Sequence, residues 1–451
     1  MAPPSYFFCG IGGSGMMPLA MIVAARGSSV SGSDRSLDQG RIAEKFAALE
    51  KLGIGLFAQD GSGVAEGQTF VASAAIEETV PDVIAAKRLG LARWSRADLL
   101  AQLFNASVQR IAVGGTSGKS TVTGMIGWIL DRAGRDPTIM NGAVMKNYVR
   151  PDAPFASARV GRGGAFVSEV DESDGSIALY TPDIAILNNV ALDHKSMEEL
   201  RRLFGDFAGR AKVAIINADN DEAMALAGGN ARTFGCCEGA DLRGTDVIER
   251  PDGVDFRANG VAVSLRVPGR HNAANALAAL AAAEAAGVPL VEGAAALGSF
   301  AGLKRRLDVV GTRHGITVID DFGHNPDKIA ATLDTLHAFP GRLLVMFQPH
   351  GYGPLRLMGK ELAETFRTKL GRDDRLFLPD PAYYGGTVDR SGGSDALASA
   401  IGPCAEHLAE RSAIGLRLLA DAKPGDRILI MGARDDSLSN FAADILERLD
   451  G

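Results

Sequence analysis

The segment Ile111-Ala112-Val113-Gly114-Gly115-Thr116-Ser117-Gly118-Lys119-Ser120-Thr121 constrains the chain more than any other. A short apolar run enters a glycine turn, meets Lys-Ser-Thr, and continues into the helical-looking stretch Val122–Leu130. A strand, a glycine loop and a helix in that order build a phosphate-binding loop. Backbone N–H groups at the helix N-terminus face the anion, and the helix dipole favours its charge. Here Gly115, Thr116, Ser117, Gly118, Lys119, Ser120 and Thr121 are expected around nucleotide phosphates. Lys119 would reach the terminal phosphates, and the Ser120 hydroxyl can ligate Mg²⁺. The general pattern carries Gly five residues before the Gly-Lys pair, and this chain has Val113 there. The local form is Gly-Thr-x-Gly-Lys-Ser-Thr.

With 451 residues, the chain is expected to form two or three domains. Strand-like and helical runs alternate almost throughout, which predicts α/β layers on mainly parallel sheets. The first expected unit opens with the strand Tyr6–Cys9, the glycine turn Gly10–Gly15 and a helix over Met16–Ala25. The second begins at Ile111 and includes strands ending at Glu169 and at Asn188-Asn189, then an alanine-rich helix over Ala273–Ala286. The third opens at Leu303-Lys304-Arg305-Arg306, with strands at Ile316–Ile319, Leu343–Phe347, Arg375–Leu378 and Arg427–Met431. Ligands of such sheets bind beyond the carboxyl ends of strands. There the chain places Asp320-Asp321, Gln348-Pro349-His350 and Gly432-Ala433-Arg434-Asp435.

The formal charge of −7 argues against a nucleic-acid binder. Four scattered cysteines, with no C-x-x-C pair, support neither a zinc site nor a disulfide framework. No apolar run reaches the roughly 18–20 residues of a membrane helix, and the start lacks a signal-peptide pattern. The expectation is a cytoplasmic chain with reduced thiols and no membrane partner.

Several motifs remain open when taken singly. Gly10-x-Gly12-x-x-Gly15 with Asp34 downstream fits a dinucleotide, another diphosphate, or a structural glycine turn. An NAD-linked oxidoreductase is the reading that follows from it alone. That reading leaves Lys119 and Glu169 without a purpose. Glu169 ends an apolar strand beside the phosphate loop, the usual place of a Mg²⁺ carboxylate. His194 follows another buried strand on the same edge. His271, Asn272 and Asn275 open the alanine-rich helix, where Asn can read a base edge or simply cap a helix.

Together these segments resemble the Mur ligase family, the ATP-dependent amide-forming enzymes of peptidoglycan precursor synthesis. The resemblance spans nearly the whole chain. It is greatest to the members that add L-alanine to UDP-N-acetylmuramate. It rests on Gly10-Ile11-Gly12-Gly13-Ser14-Gly15-Met16, Ser31-Gly32-Ser33-Asp34, Ser73-Ala74-Ala75-Ile76, Glu169-Val170-Asp171-Glu172-Ser173-Asp174 and Phe347-Gln348-Pro349-His350. It implies three domains: a Rossmann-like UDP-substrate domain over 1–104, a central ATPase domain with a parallel sheet over 105–300, and a Rossmann-like C-terminal domain over 301–451 that closes over ATP and helps bind the amino acid.

Residue by residue, the resemblance implies UDP-substrate contacts at Gly12, Gly13, Ser14, Gly15, Met16, Ser33, Asp34 and Ser73. It implies Mg²⁺ ligation by Ser120, Glu169 and His194, and ATP contacts at His271, Asn272, Asn275, Arg306 and Asp321. His324 would sit nearby, and His350 would serve the reaction. The cofactors implied are ATP and Mg²⁺, and the partners are a UDP-N-acetylmuramate-type substrate and an amino acid, on a monomer or homodimer. One departure matters. The alanine-adding members carry His-Arg-Tyr-x-Arg after Gln-Pro, and this chain has His350-Gly351-Tyr352-Gly353-Pro354. Arg356 and Arg434 are the candidates to replace the two missing arginines. A sibling ligase for a recycled peptide is the alternative that this departure raises.

Overall fold

The computed structural model describes residues 3–73, 76–192, 195–382, 392–433, 435 and 437–449. Two compact units divide the chain: 1–248 with 254–266 and 271–303, and 249–253 with 267–270 and 304–451.

The first unit opens on a five-stranded parallel sheet of β1 (Ser5–Cys9), β2 (Ser29–Ser33), β3 (Gly55–Phe57), β4 (Thr69–Ala72) and β5 (Arg93–Ser95). Their order is β3-β2-β1-β4-β5. The chain runs outward from β1 on one side, then returns to the other at β4. That switch opens a crevice at the carboxyl ends of β1 and β4, where open α/β sheets hold ligands. The glycine turn Gly10–Gly15 leaves β1 at this edge and enters the helix Met16–Ala25.

A second sheet follows, of β6 (Gln109–Gly114), β7 (Thr138–Met140), β8 (Ala158–Arg159), β9 (Ala165–Glu169), β10 (Ile184–Leu187), β11 (Val213–Asn217), β12 (Ala231–Gly235), β13 (Leu242–Arg250), β14 (Gly253–Ala258) and β15 (Val261–Leu265). Its order is β15-β14-β13-β12-β11-β10-β6-β9-β7-β8. β6 is flanked by β9 and β10, both parallel to it, with Val113 opposite Glu169 and Gly114 opposite Leu187. This register delivers the ends of three strands to one point. The helix Lys119–Arg132 tolerates Gly124 and Gly127 because it lies against the side chains of Leu303 and Ile139, where a Cβ would crowd them.

The two sheets of this unit share an apolar core. Phe104, on the helix Arg96–Asn105, meets Phe166 of β9 and Tyr180 edge-on, with ring centroids 5.7 and 5.3 Å apart. Phe104 and Phe166 are wholly buried, and each such side chain contributes roughly 2–3 kcal/mol.

The second unit holds β16 (Asp308–Arg313), β17 (Ile316–Asp321), β18 (Leu343–Gln348), β19 (Arg375–Leu378), β20 (Ala405–His407) and β21 (Arg427–Gly432), ordered β16-β17-β21-β18-β19-β20. An antiparallel β16–β17 hairpin edges an otherwise parallel sheet. Apolar residues cover both faces of it. β21 lies between β17 and β18, so Asp321 pairs with Met431 and Gln348 with Gly432.

The strands expected from sequence are present, most extended by one or two residues. The alanine-rich helix spans Arg270–Ala285, three residues earlier than expected at its start. Gly269, at φ +98°, lets the chain turn into it. Asn272 and Asn275 therefore lie inside the helix rather than capping it. Among the described residues, no helix is long and apolar enough to cross a membrane.

Candidate active site

The glycine loop between β6 and the helix Lys119–Arg132 joins a strand to a helix N-terminus, the order read from sequence. Gly115 and Gly118 take φ values of +130° and +83°, which only glycine adopts without strain. A Cβ on Gly118 would also overlap the amides of Asn188 and Asn275. Gly118 thus brings the chain into the helix Lys119–Arg132 with the first N–H groups of that helix at the loop.

Polar side chains from four strand ends surround this loop. The Ser120 hydroxyl donates to Glu169 Oε2 at 2.7 Å. The Glu169 carboxylate packs against Gly142, where a Cβ would overlap it. Lys119 Nζ donates to the Gly115 carbonyl at 2.7 Å and to Glu172 Oε2 at 2.9 Å. Glu172 is buried. Its pairing with Lys119 was not foreseen, although Glu172 stands in the acidic run already singled out.

Asparagines hold the loop's shape. Ser117 N–H donates to Asn189 Oδ1 at 2.8 Å, and the Asn188 and Asn189 amides donate back to the Ser117 carbonyl at 3.0 and 3.1 Å. Asn188 also donates to Asn275 Oδ1 at 3.0 Å, and Asn275 to Asn272 Oδ1 at 2.9 Å. Asn217 supports the Asn188 carbonyl, and Asn141 the Ser120 carbonyl. Asn188 Oδ1 is buried and accepts nothing. His271 is exposed on the first turn of its helix. His194 lies outside the described residues.

Ser120 and Glu169 are hard oxygen donors 2.7 Å apart, which fits Mg²⁺. Among the described residues no group of three or more His, Cys, Asp or Glu converges as a metal cage.

The other glycine turn of this unit is organised by Asp34. Its carboxylate accepts from the N–H groups of Gly12 and Ser36, both at 2.8 Å. Ser33 donates to Asp82, which also accepts from Gly61 N–H at 2.8 Å. Burial pushes the neighbouring Cys9 thiol up to about 12, with the Asp82 charge adding to it. Gly13, Ser14 and Gly15 lead into the helix at Met16, and Ser73 follows β4 on the same sheet. Gly15 is close to Arg96, whose Cδ lies 3.0 Å from where a Cβ would stand. Arg96 also pairs with Asp174 at 3.5 Å. It was missed in sequence, although it follows β5 directly and so lies at a strand's carboxyl end.

In the second unit, Asp321 is held by protein donors. It accepts from Leu307 N–H and Gly323 N–H at 2.8 Å each, and from the Thr332 hydroxyl at 3.1 Å. The Arg306 guanidinium lies 4.4 Å over the Phe322 ring. His324 packs edge-on against both Phe322 and His350, at 5.3 Å in each case, and its Nδ1 is 3.0 Å from the Phe322 carbonyl. Burial holds the His324 imidazole down at about 4, and Lys328, His350 and Arg306 add to the effect.

His350 is followed by Gly351, at φ +144°, and by the helix Tyr352–Lys369, which carries Arg356. Arg434 lies outside the described residues. Arg411 was also missed. It donates to Gln348 Oε1 at 2.7 Å, to Ser437 Oγ at 2.8 Å and to Asp435. It thus ties the Gln-Pro-His loop to the loop after β21.

Comparison with known proteins agrees with this arrangement. Family models match in three consecutive stretches: "Mur ligase family, catalytic domain" over residues 5–107, "Mur ligase middle domain" over 113–283, and "Mur ligase, glutamate ligase domain" over 305–434. The UDP-N-acetylmuramate–L-alanine ligase of Streptomyces coelicolor is 36% identical, with 98% of this chain and 97% of that one covered. Its counterpart from a Synechococcus strain is 35% identical, with 96% and 84% covered. Among solved structures, the UDP-N-acetylmuramate-alanine ligase of Thermotoga maritima superposes with a TM-score of 0.81 at 22% identity, covering 99% of each chain. A murein peptide ligase from Psychrobacter arcticus gives 0.70 at 25% identity, over 99% and 98%. A phosphate loop with its acidic partners, on a chain matched almost end to end by these relatives, leads to one conclusion: this chain belongs to the Mur ligase family.

Proposed function

We propose that the chain is an ATP-dependent ligase that joins L-alanine to the carboxylate of UDP-N-acetylmuramate. The observation that carries this reading is the Lys119–Ser120–Glu169 constellation, on a chain related over 98% of its length to a ligase of that name. The substrate carboxylate attacks the γ-phosphate of ATP, giving an acyl phosphate and ADP. The amine of the amino acid then attacks the acyl carbon, and inorganic phosphate leaves with the amide formed.

Both steps build negative charge, so positioned cations and N–H dipoles can lower both barriers. Lys119 would neutralise the transferred phosphoryl group. Ser120 and Glu169 would hold Mg²⁺, which supplies charge neutralisation when bound, and His194 is assigned to a second ion. Gly12–Met16, Ser33, Asp34 and Ser73 are assigned to the UDP portion. His271, Asn272, Asn275, Arg306 and Asp321 are assigned to ATP. Domain boundaries at 104/105 and 300/301 belong to this reading; the family-model matches change over between 107 and 113 and between 283 and 305. This reading assigns the enzyme to the cytoplasm, where nucleotide-linked precursors and ATP are at hand.

A second reading has a specific motive. Gly351 and Pro354 stand where the alanine-adding members carry arginines, so a peptide acceptor is the alternative. Phosphate release measured with UDP-N-acetylmuramate and each amino acid separately, then with a muropeptide, separates the two. Saturable turnover with L-alanine supports the first. Turnover with the peptide alone supports the second. No phosphate release with any acceptor removes both.

A further inference from the structure

The turn that opens the second unit is strained on both sides of Arg306. Arg305 and Leu307 take φ values of +61° and +46°, the left-handed region that L side chains avoid. Such a turn persists only where its surroundings over-determine it, and here they do. The Arg305 side chain is buried. Its Nε faces Asp320 Oδ1 at 3.4 Å, its Nη1 donates to the Asp435 carbonyl at 2.9 Å, and its Nη2 donates to the Gly432 carbonyl. Asp320 is itself held by Ser439 Oγ at 2.7 Å. The backbone is fixed as well: Phe322 N–H donates to the Arg305 carbonyl at 2.9 Å, and Leu307 N–H to Asp321 at 2.8 Å.

The residue between these two anchors is Arg306. Its guanidinium lies over the Phe322 ring and donates to the Arg305 carbonyl at 3.3 Å. Phe322 belongs to the same turn-and-strand cluster, directly after β17. A planar fork bonded to two carbonyls and a carboxylate cannot be replaced by a point charge on a flexible stem. We propose that Arg305 is a positioning residue: it bolts the strained turn to the ends of β17 and β21, so that Arg306 is presented in one fixed orientation before nucleotide binds. This rests on the assignment of Arg306 to the ATP phosphates. Without Arg305, the turn would relax and Arg306 would lose that orientation, with no contact to substrate removed.

A double-mutant cycle read by steady-state kinetics tests this. Arg306→Ala is expected to lower kcat/KM for ATP about 100-fold or more. Arg305→Lys is expected to lower it about 10-fold, mainly through kcat, with KM for the UDP substrate and the amino acid unchanged. In the Arg306→Ala background, Arg305→Lys should add less than about 2-fold, because the residue it acts through is gone. Multiplicative effects in the double variant, or a parallel rise of all three KM values, would show that Arg305 supports the fold alone and would overturn the inference. Wild-type ATP kinetics in Arg306→Ala would overturn the phosphate assignment itself, a distinct result. Should Arg305→Lys fail to fold, Arg305→Met with Asp320→Asn removes both buried charges together, and the same cycle is read on that pair.

Discussion

The molecule presents a cation by two different constructions. In the first unit, Lys119 follows a loop whose unusual dihedrals all fall on glycines, Gly115 and Gly118. In the second, Arg306 stands between two left-handed residues that are not glycine. The lysine loop places its unusual dihedrals where they cost little, and its neighbours hold both side chains and backbone: Glu172 on Lys119, Glu169 on Ser120, the asparagines on the Ser117 N–H and carbonyl. The arginine turn places its unusual dihedrals on L side chains, where they must be enforced. Its side-chain terminus stacks on an aromatic ring, and its backbone is what the fold restrains. A glycine adopts such a dihedral without strain, whereas an L residue must be forced into it. The two constructions thus differ in where the strain lies: on glycines that tolerate it in the first, on L residues that their surroundings must hold in the second.

The largest expected effect comes from breaking the first construction. Lys119→Ala should reduce turnover by about 1000-fold or more. It should also destabilise the protein by about 3 kcal/mol, because it strands the buried Glu172 carboxylate. Adding Glu172→Gln should restore the thermal midpoint without restoring turnover. A Lys119→Ala protein that still forms ADP at the wild-type rate would remove the loop from the chemistry.

On the arginine side, His324 gives a pH-dependent signature. Its folded value of about 4 lies below the ordinary 6.5, so the imidazole is buried neutral. The stability this provides is fully present above pH 6.5 and is lost as pH falls to about 4. The loss is at most about 3 kcal/mol. Denaturant titrations at pH 7, 5.5 and 4 should show this decline, and His324→Gln should flatten it. An identical decline in the variant would assign it to other groups.

The third test returns to the glycines. Gly118→Ala places a methyl at φ +83° against two asparagine amides. It should cost about 2 kcal/mol in stability and loosen nucleotide binding. A neutral effect would mean that the loop is not held as tightly as its contacts imply. The smallest effect is expected at the metal. Glu169→Gln retains the size of the group and removes its charge, and should raise the Mg²⁺ concentration for half-maximal activity by about 10-fold. An unchanged Mg²⁺ dependence would dissociate Glu169 from the ion.

How legible each construction is in the sequence follows from the same contrast. Gly118-Lys119-Ser120 can be read directly, since the residues that need special dihedrals are the ones that advertise them. The strand ends at Glu169, Asn188 and Asp321 are legible because apolar runs stop there. Arg305 and Leu307 carry no such mark. Their conformation is imposed by groups up to 130 residues away in sequence, at Asp320, Gly432 and Asp435. Glu172 was visible as an acid but not as the partner of Lys119, since three acids within four residues offer the same charge and only the fold selects one. Arg96 and Arg411 reach their loops from neighbouring helices, a relation that no local spacing encodes.

The aromatic seam of Phe104, Phe166 and Tyr180 has a bearing on how this protein can be cut. A domain list invites truncation at residue 104, yet that cut would sever Phe104's helix from the rings it covers. The remaining central sheet would be left with a greasy scar, prone to stick to its own kind. The first two sheets should therefore melt together and resist limited proteolysis together. As a material, residues 1–248 with 254–266 and 271–303 are one block bearing two glycine-turn edges.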